Sequence, residues 1–211
     1  GGAAVIATHS WAALKGAEAL TIRFKPTPHD ALDSATISRQ MRAGLGAEAG
    51  AIEARKDGDW DAVAKSASRI VRADYEAPYL SHSPMEPWNC TVEIDADGVV
   101  HIWAPVQTQD RNRNAAAEAA GVAPEKVRLY TTLLGGGFGR RLGSDGIAAA
   151  VVTARAVQRP VKLFWRREDE FGQGWCRPAQ AARLKAALDA DGQPFGNHST
   201  CRHGYAHCGS Q

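Results

Sequence analysis

Leu133-Leu134-Gly135-Gly136-Gly137-Phe138-Gly139-Arg140-Arg141-Leu142 is the stretch on which the reading of this chain turns. Glycine loses more backbone freedom on folding than any other residue, so three in a row, with a fourth after one phenylalanine, are costly to order. Such a run is kept where the backbone must approach something closely or adopt positive φ. Arg140 and Arg141 follow at once. They bring fixed charge and planar donor forks suited to phosphate. The residues alone leave two readings open: a backbone cradle for a phosphorylated cofactor, or a tight structural turn. The standard phosphate loops do not fit. Neither the spacing nor the lysine of G-x-x-x-x-G-K-[ST] is present. The dinucleotide pattern G-x-G-x-x-G fails at its third glycine, where the chain has Arg140 or Leu142.

The flanks set the loop between a strand and a helix. Val127–Thr132 reads as a strand, Ser144 or Asp145 caps an apolar helix over Gly146–Gln158, Pro160 ends it, and Val161–Arg166 reads as a buried strand. A helix N-terminus after such a loop is a sound place for an anion. Upstream, Thr91–Ile94 and Val99–Trp103 alternate on either side of Asp95-Ala96-Asp97-Gly98, which predicts a hairpin. Gln109–Ala120 reads as a helix stopped by Gly121. Nearer the start, Val5–Ala7 and Thr21–Phe24 are expected as strands, and Ser10 caps a helix over Trp11–Ala19. Ser34–Leu45 and Trp60–Ala67 are expected as helices, and Arg69–Tyr75 as a strand. The turn recurs as Asp189-Ala190-Asp191-Gly192, so Ala182–Leu188 is read as a strand despite its alanines. Trp165–Asp169 is read as a strand end whose charges form an internal salt-bridge group. Arg111 and Arg113, near a helix start, either reach phosphate or lie on a solvated face.

At 211 residues the chain holds one ordinary domain or parts of two. Its 44% hydrophobic and 23% charged content is that of a globular protein. Lys and Arg number 25 against 23 Asp and Glu, so no polyanion partner is implied, and no basic stripe suggests nucleic acid. No apolar run is long enough to span a membrane, and the opening GGAAVIATHSW does not read as a signal peptide. Cys90, Cys176, Cys201 and Cys208 form no C-x-x-C and match neither zinc nor iron–sulfur spacing. Any electron-transfer cluster is therefore expected on another polypeptide.

GGGFGRR resembles the glycine loop of the molybdopterin-binding large subunit of the xanthine oxidase/aldehyde oxidase family, and its two arginines resemble the isoquinoline 1-oxidoreductase beta-subunit branch. The likeness continues through Tyr75-Glu76-Ala77-Pro78-Tyr79-Leu80-Ser81-His82 and Met85-Glu86-Pro87-Trp88-Asn89-Cys90. It extends through Trp103-Ala104-Pro105-Val106-Gln107, Pro160-Val161-Lys162 and Arg166-Arg167-Glu168-Asp169, covering about residues 1 to 196. The resemblance implies an α+β fold with mixed sheets and flanking helices. Residues 1–72 would end a hammerhead-like domain and 73–197 would begin the molybdopterin-binding domain. Residues 198–211 would be a tail outside the family pattern, disordered or non-native.

The same resemblance implies an oxidoreductase: part of a molybdenum hydroxylase acting on an N-heterocycle or an aldehyde with oxygen from water. Its cofactor would be molybdopterin as a dinucleotide, with 2Fe-2S clusters on a partner. The implied partners are an iron–sulfur small subunit, the remainder of the large subunit, a cytochrome electron acceptor and a small-molecule substrate. A periplasmic or membrane-associated location is favoured over a cytoplasmic one. Gly136, Gly137, Phe138 and Gly139 would lie beside the metal and pterin, with the Phe138 backbone N–H as a donor. Arg140 and Arg141 would neutralise cofactor charge or fix the loop. Gln107 would lie near the cofactor. Glu86 would orient the loop or cap a turn at Pro87, and His82 and Met85 would form wall. Leu80 stands where many xanthine oxidase relatives have glutamine, and Arg141-Leu142 where xanthine-type relatives have Lys-Glu, which argues against purine oxidation. The family's base, a glutamate in a Gly-Glu pair, has no match here. No catalytic residue is assigned, and the chain alone is not expected to turn over. The rival reading is a non-catalytic molybdopterin-binding or assembly module. A third, zinc bound by His198, Cys201, His203, His207 and Cys208, lacks the spacing of a closed site.

Overall fold

The computed structural model describes residues 2–46 and 51–204. In chain order the elements are α1 (Ser10–Glu18), α2 (Ser34–Gly44), α3 (Trp60–Ser66), β1 (Arg69–Ala77), β2 (Leu80–Ser81), β3 (Asn89–Ile94), β4 (Val100–Ala104), α4 (Gln109–Ala120), β5 (Val127–Thr131), α5 (Asp145–Val157), β6 (Val161–Phe164), α6 (Arg167–Gln173), β7 (Cys176–Arg177), β8 (Ala179–Leu188) and β9 (Pro194–Gly204). They fall into two compact units, one holding residues 2–23 with 81–176 and the other 24–80 with 177–204.

The first unit is built on a four-stranded sheet in the order β5-β4-β3-β6. β3 and β4 form the expected hairpin, with Val92 opposite Ile102. Its turn closes because Asp95 Oδ1 accepts the N–H groups of Asp97 and Val99, at 3.0 and 2.8 Å, while Gly98 takes the left-handed conformation. β4 and β5 run parallel, from Val100 beside Val127 to Ala104 beside Thr131, and α4 is the crossover that parallel pairing demands. β6 adds antiparallel to the far side of β3.

Alternation decides which face is buried. Cys90 and Val92 of β3 and Val100, Ile102 and Ala104 of β4 are buried in one apolar core with Ala116, Ala117 and Ala120 of α4 and Ile147, Ala150, Val151 and Ala154 of α5. Each fully buried valine or isoleucine contributes about 1.5–3 kcal/mol. Alanine on the helices allows close approach. Gly146 carries this furthest, since a Cβ there would lie 2.5 Å from the buried Trp88 ring. Burial pushes the Cys90 thiol up to about 12, so it behaves as a small apolar group.

The second unit is an antiparallel sheet in the order β1-β8-β9. Met41 and Leu45, from α2 and its C-cap, are buried with Ala179 and Ala181 of β8. Asp74 of β1 accepts two hydrogen bonds from Arg183 of β8, both 2.8 Å.

The structure departs from the sequence expectations at several places. Ser10 is the first residue of α1 and does not cap it; His9 does, its Nδ1 accepting the Ala12 N–H at 3.3 Å. Residues 5–7 and 21–24 are irregular rather than strands. Neither segment finds a partner strand in any sheet of the described residues, and an unpaired apolar run does not hold as β structure. Arg167–Gln173 is a helix, α6, instead of a strand end; Asp169 accepts the Arg166 N–H at 3.1 Å, and Glu168, Asp169 and Glu170 lie in the first turn, where the helix dipole favours acids. The expected division near residue 72 falls inside β1, which pairs with β8 from Arg69 opposite Leu188 to Ala77 opposite Gln180. Lastly, residues 198–204 of the expected tail continue β9, held by pairs such as Ala182 with Cys201, while 205–211 lie outside the described residues. The proposed zinc ligands His207 and Cys208 are therefore not described, and no three His, Cys, Asp or Glu side chains gather as a metal site among the described residues. No helix among the described residues is long and apolar enough to cross a membrane.

Candidate functional site

β4 and β5 are parallel, so both deliver their following loops to the same edge of the sheet. Gln107 follows β4, and the glycine loop follows β5. The carboxyl ends of neighbouring parallel strands are where open α/β sheets place ligands.

The loop has unusual backbone geometry. Gly136 and Gly139 have φ of 100° and 98°, and Phe138 between them is also left-handed at 53°. Such a conformation in a residue with a Cβ costs about 1–3 kcal/mol and persists only when the surroundings hold it. Phe138 is nonetheless 62% exposed, so packing of its ring is not what holds it.

The holding is done by three side chains from behind. Glu86 Oε2 accepts the Gly135 N–H at 2.9 Å, and the Glu86 N–H donates back to the Gly135 carbonyl at 3.0 Å. Gln107 Oε1 accepts two loop N–H groups, from Gly139 and Arg141, both at 3.2 Å, and the Gln107 N–H donates to the Arg141 carbonyl at 3.1 Å. Arg141 Nη2 donates to the carbonyls of Glu86 and Pro87, at 2.8 and 3.1 Å, with the Glu86 carboxylate at 3.4 Å and the Trp88 ring beneath. Burial pulls the Arg141 guanidinium down from its usual range, opposed by the charges of Glu86 and then Glu170.

For Arg140 and Arg141 the sequence leaves two roles open, neutralising cofactor charge or fixing the loop. Both side chains turn inward, away from solvent. They are 2% and 0% exposed. Arg140 grips both oxygens of Asp145, at 3.0 and 2.9 Å, and lies over the Trp165 ring. Of the two expected caps of α5, Ser144 holds the position without a side-chain cap bond, and the Asp145 carboxylate serves Arg140. A bidentate arginine–carboxylate pair fixes geometry as well as charge.

The glycines are needed position by position. A Cβ on Gly135 would come within 2.4 Å of Glu86 Cβ, on Gly136 within 2.9 Å of the Phe138 ring, and on Gly137 within 2.7 Å of the Gln107 carboxamide. At Gly139 it would lie 3.3 Å from His82 Nε2. With so much of the loop committed, what is left over is informative. The N–H groups of Gly136, Gly137 and Phe138 take no acceptor among the described residues, whereas those of Gly135, Gly139, Arg140 and Arg141 all do. Three successive uncommitted N–H groups form the kind of concavity that receives an anion.

His82 is placed beside the loop, with Nδ1 3.0 Å from the Trp175 carbonyl, and Met85 beside it is 88% exposed. Arg111 lies over the Trp175 ring and Arg113 pairs loosely with Asp110, so neither is built into the loop. Leu80 is exposed. Residues that sequence reasoning left out of the site are Pro84, which lies against Gly136, and Asp145. Proximity of Asp145 to Arg140 carried no sequence signal beyond a five-residue separation.

Residues 46–208 match the molybdopterin cofactor-binding domain family. The chain is 30% identical over 196 residues to the isoquinoline 1-oxidoreductase subunit beta of Brevundimonas diminuta, covering 89% of this chain and 25% of that protein. It is 35% identical over 138 residues to the molybdenum-binding subunit of an aldehyde oxidoreductase from Escherichia coli (strain K12), covering 64% and 19%. Its fold is similar to that of the aldehyde oxidoreductase from Desulfovibrio gigas, with a TM-score of 0.64 at 24% identity over 70% of this chain and 16% of that one. The chain thus spans a quarter or less of the length of these relatives.

Proposed function

Because this chain belongs to the molybdopterin cofactor-binding domain family, we propose that its glycine loop is one wall of a molybdenum-cofactor site in an oxidoreductase subunit. The observation that carries the proposal is the set of three uncommitted backbone N–H groups on Gly136, Gly137 and Phe138, between neighbours Gly135 and Gly139–Arg141 whose backbone N–H groups are all taken. The fit is chemical as well as spatial. A group bearing anionic oxygens needs donors that are fixed in advance, and needs backbone unshielded by side chains; a Cβ at any of the four glycines would fill or distort that room. Gly136, Gly137, Phe138 and Gly139 would face the cofactor, with the exposed amide of Gln107 at the edge. Glu86, Arg140 and Arg141 act behind them, holding the donors in place.

When bound, the cofactor supplies the oxidation of a substrate carbon with oxygen taken from water. This chain's part is to bind and orient. It holds donors rigid, and it takes no proton-transfer role in the proposal. The resemblance to the isoquinoline 1-oxidoreductase branch supports an N-heterocycle or an aldehyde as substrate. It also supports a dinucleotide form of the cofactor, 2Fe-2S clusters on a partner subunit, the remainder of a large subunit completing the site, a cytochrome acceptor, and a periplasmic or membrane-associated setting.

The test is Gly137→Val in the complete assembly, purified with its partners, with molybdenum measured per subunit. The valine would push the Gln107 carboxamide off the Gly139 and Arg141 N–H groups and fill the approach. The expected result is loss of molybdenum from an assembly that still forms. Normal molybdenum content would refute the cradle.

A further inference from the structure

We propose that Glu170 is a positioning residue that braces the two walls of the cradle, the glycine loop and the Pro84–Glu86 segment hydrogen-bonded to it, acting through Arg140 on the first and Arg167 on the second. This rests on the cradle reading above. Glu170 belongs to α6, outside both the glycine loop and the Pro84–Glu86 segment bonded to it, and it is 1% exposed. No residue of α6 joins the apolar core, so its burial serves another end.

The contacts show that end. Glu170 Oε2 accepts from Arg167 Nη1 at 3.1 Å, and its Oε1 lies 3.7 Å from Arg140 Nε. Arg167 reaches with Nη2 to the carbonyls of Pro84 and Met85, at 2.6 and 3.0 Å. Arg140 is itself a residue of the glycine loop, with its outer edge fixed by Asp145. One buried carboxylate therefore holds Arg167 by a hydrogen bond and Arg140 by charge alone, with no hydrogen bond between Oε1 and Nε, and each guanidinium is fastened to a different wall. Gly174 is required first by the Glu170 backbone carbonyl, which a Cβ there would meet at 2.3 Å, and the same Cβ would also lie 3.3 Å from Arg140 Nε.

Both walls carry backbone strain that something must hold. Ser83, just before Pro84, has φ of 46°, and Phe138 has 53°. The walls also touch, because a Cβ on Gly136 would meet Pro84 Cβ at 3.4 Å. Charge explains why the carboxylate is required and not merely its shape. Arg140, Arg141 and Arg167 are matched by Glu86, Asp145 and Glu170. Neutralising Glu170, the member shared by two arginines, leaves a buried excess of positive charge, which is strongly unfavourable.

The experiment is Glu170→Gln in the full subunit within its native assembly, beside Glu170→Asp and Gly137→Val. Amide hydrogen exchange is followed in residues 82–88 and 134–142, with β3 as the internal reference, and molybdenum is measured per subunit. The expected result for Glu170→Gln is exchange about tenfold faster in both wall segments together, with β3 unchanged, and a severalfold loss of molybdenum. Glu170→Asp, which keeps the charge, should recover part of both. Wild-type exchange in the walls, faster exchange in one wall alone, or equal acceleration of β3 would each overturn the proposal. If Gly137→Val loses its molybdenum while Glu170→Gln behaves as wild type, the brace fails and the cradle stands. If Gly137→Val keeps its molybdenum, the cradle fails and the brace falls with it. Should Glu170→Gln not assemble, Arg167→Lys replaces it. A lysine loses the fork that holds two carbonyls, and residues 82–88 should exchange about tenfold faster with β3 unchanged; unchanged exchange there would overturn the proposal.

Discussion

Glu86→Gln is the substitution whose consequence follows most directly from the geometry. The two side chains have the same shape, and only the donors and acceptors differ. Every group facing the Glu86 carboxylate is a donor: the Gly135 N–H at 2.9 Å and Arg141 Nη2 at 3.4 Å on Oε2, and Asn89 Nδ2 at 2.8 Å on Oε1. A glutamine has one acceptor oxygen and one NH2, so whichever way it turns, one donor meets another. Asn89 cannot simply flip to suit, because its Nδ2 also donates to the Pro87 carbonyl at 3.0 Å. One hydrogen bond is lost, and Arg141 loses the charge opposite it. Arg141 keeps its two carbonyl acceptors and Glu86 is 31% exposed, so the penalty is at the low end for a buried pair, about 2 kcal/mol. For a domain of this size that lowers the melting temperature by about 4–8 °C. Thermal unfolding of the assembled subunit measures it, with exchange of the Gly135 amide as the local readout. Glu93→Gln, on an exposed position of β3, is the control and should stay within about 0.5 kcal/mol of wild type. If Glu86→Gln melts with that control and keeps Gly135 protected, the carboxylate does not anchor the loop.

Two further outcomes test the fold. Gly146→Ala places a methyl 2.5–2.6 Å from three atoms of the Trp88 ring, which is fully buried and has nowhere to retreat, so stability should fall by about 1–3 kcal/mol with the assembly still formed; an unchanged melting temperature would contradict the packing of α5 on Trp88. In the second unit, hydrogen bonds from Arg183 hold the Asp74 carboxyl well below the usual carboxylate range. A depressed carboxylate contributes stability above its unfolded value and loses it as pH falls toward the folded one, so Asp74→Asn should flatten the decline of melting temperature below about pH 4. Parallel declines in the two proteins would count against the pair.

What could be read from the sequence was what short-range chemistry dictates. Asp95-Ala96-Asp97-Gly98 specifies its turn by an aspartate that bonds two following N–H groups and a glycine that takes positive φ, so the hairpin was legible. Gly121 marks the end of α4 for the same reason. Alternation in β3 and β4 was enough to choose their buried faces. Thr21–Phe24 misled because alternation says nothing about whether a partner strand exists, and Ile22 and Phe24 are exposed in irregular chain. The break near residue 72 misled for a related reason. β1 belongs with β8, more than a hundred residues later, and no local composition records that pairing.

The site divides along the same line, and the division shows where its energy resides. The glycines announce that backbone must be bare, which is a property of each residue alone. The arginines announce only charge, and charge has no direction in a sequence. Read outward, they suggest phosphate; the structure turns them inward, onto Asp145, Glu170 and the carbonyls beside Glu86. The physical reason is the loop itself. A run of flexible glycines that must hold left-handed geometry and three uncommitted donors has no apolar side chain of its own to anchor it, so the anchoring must come from hydrogen bonds. Two guanidinium groups with five donors each can supply many of these from a small buried volume, provided carboxylates meet them. GGGFG and RR are therefore two halves of one device, a bare backbone surface and the rigid support behind it. Replacing Arg141 by alanine should accordingly act first on the order of the loop, and on any bound group only through it.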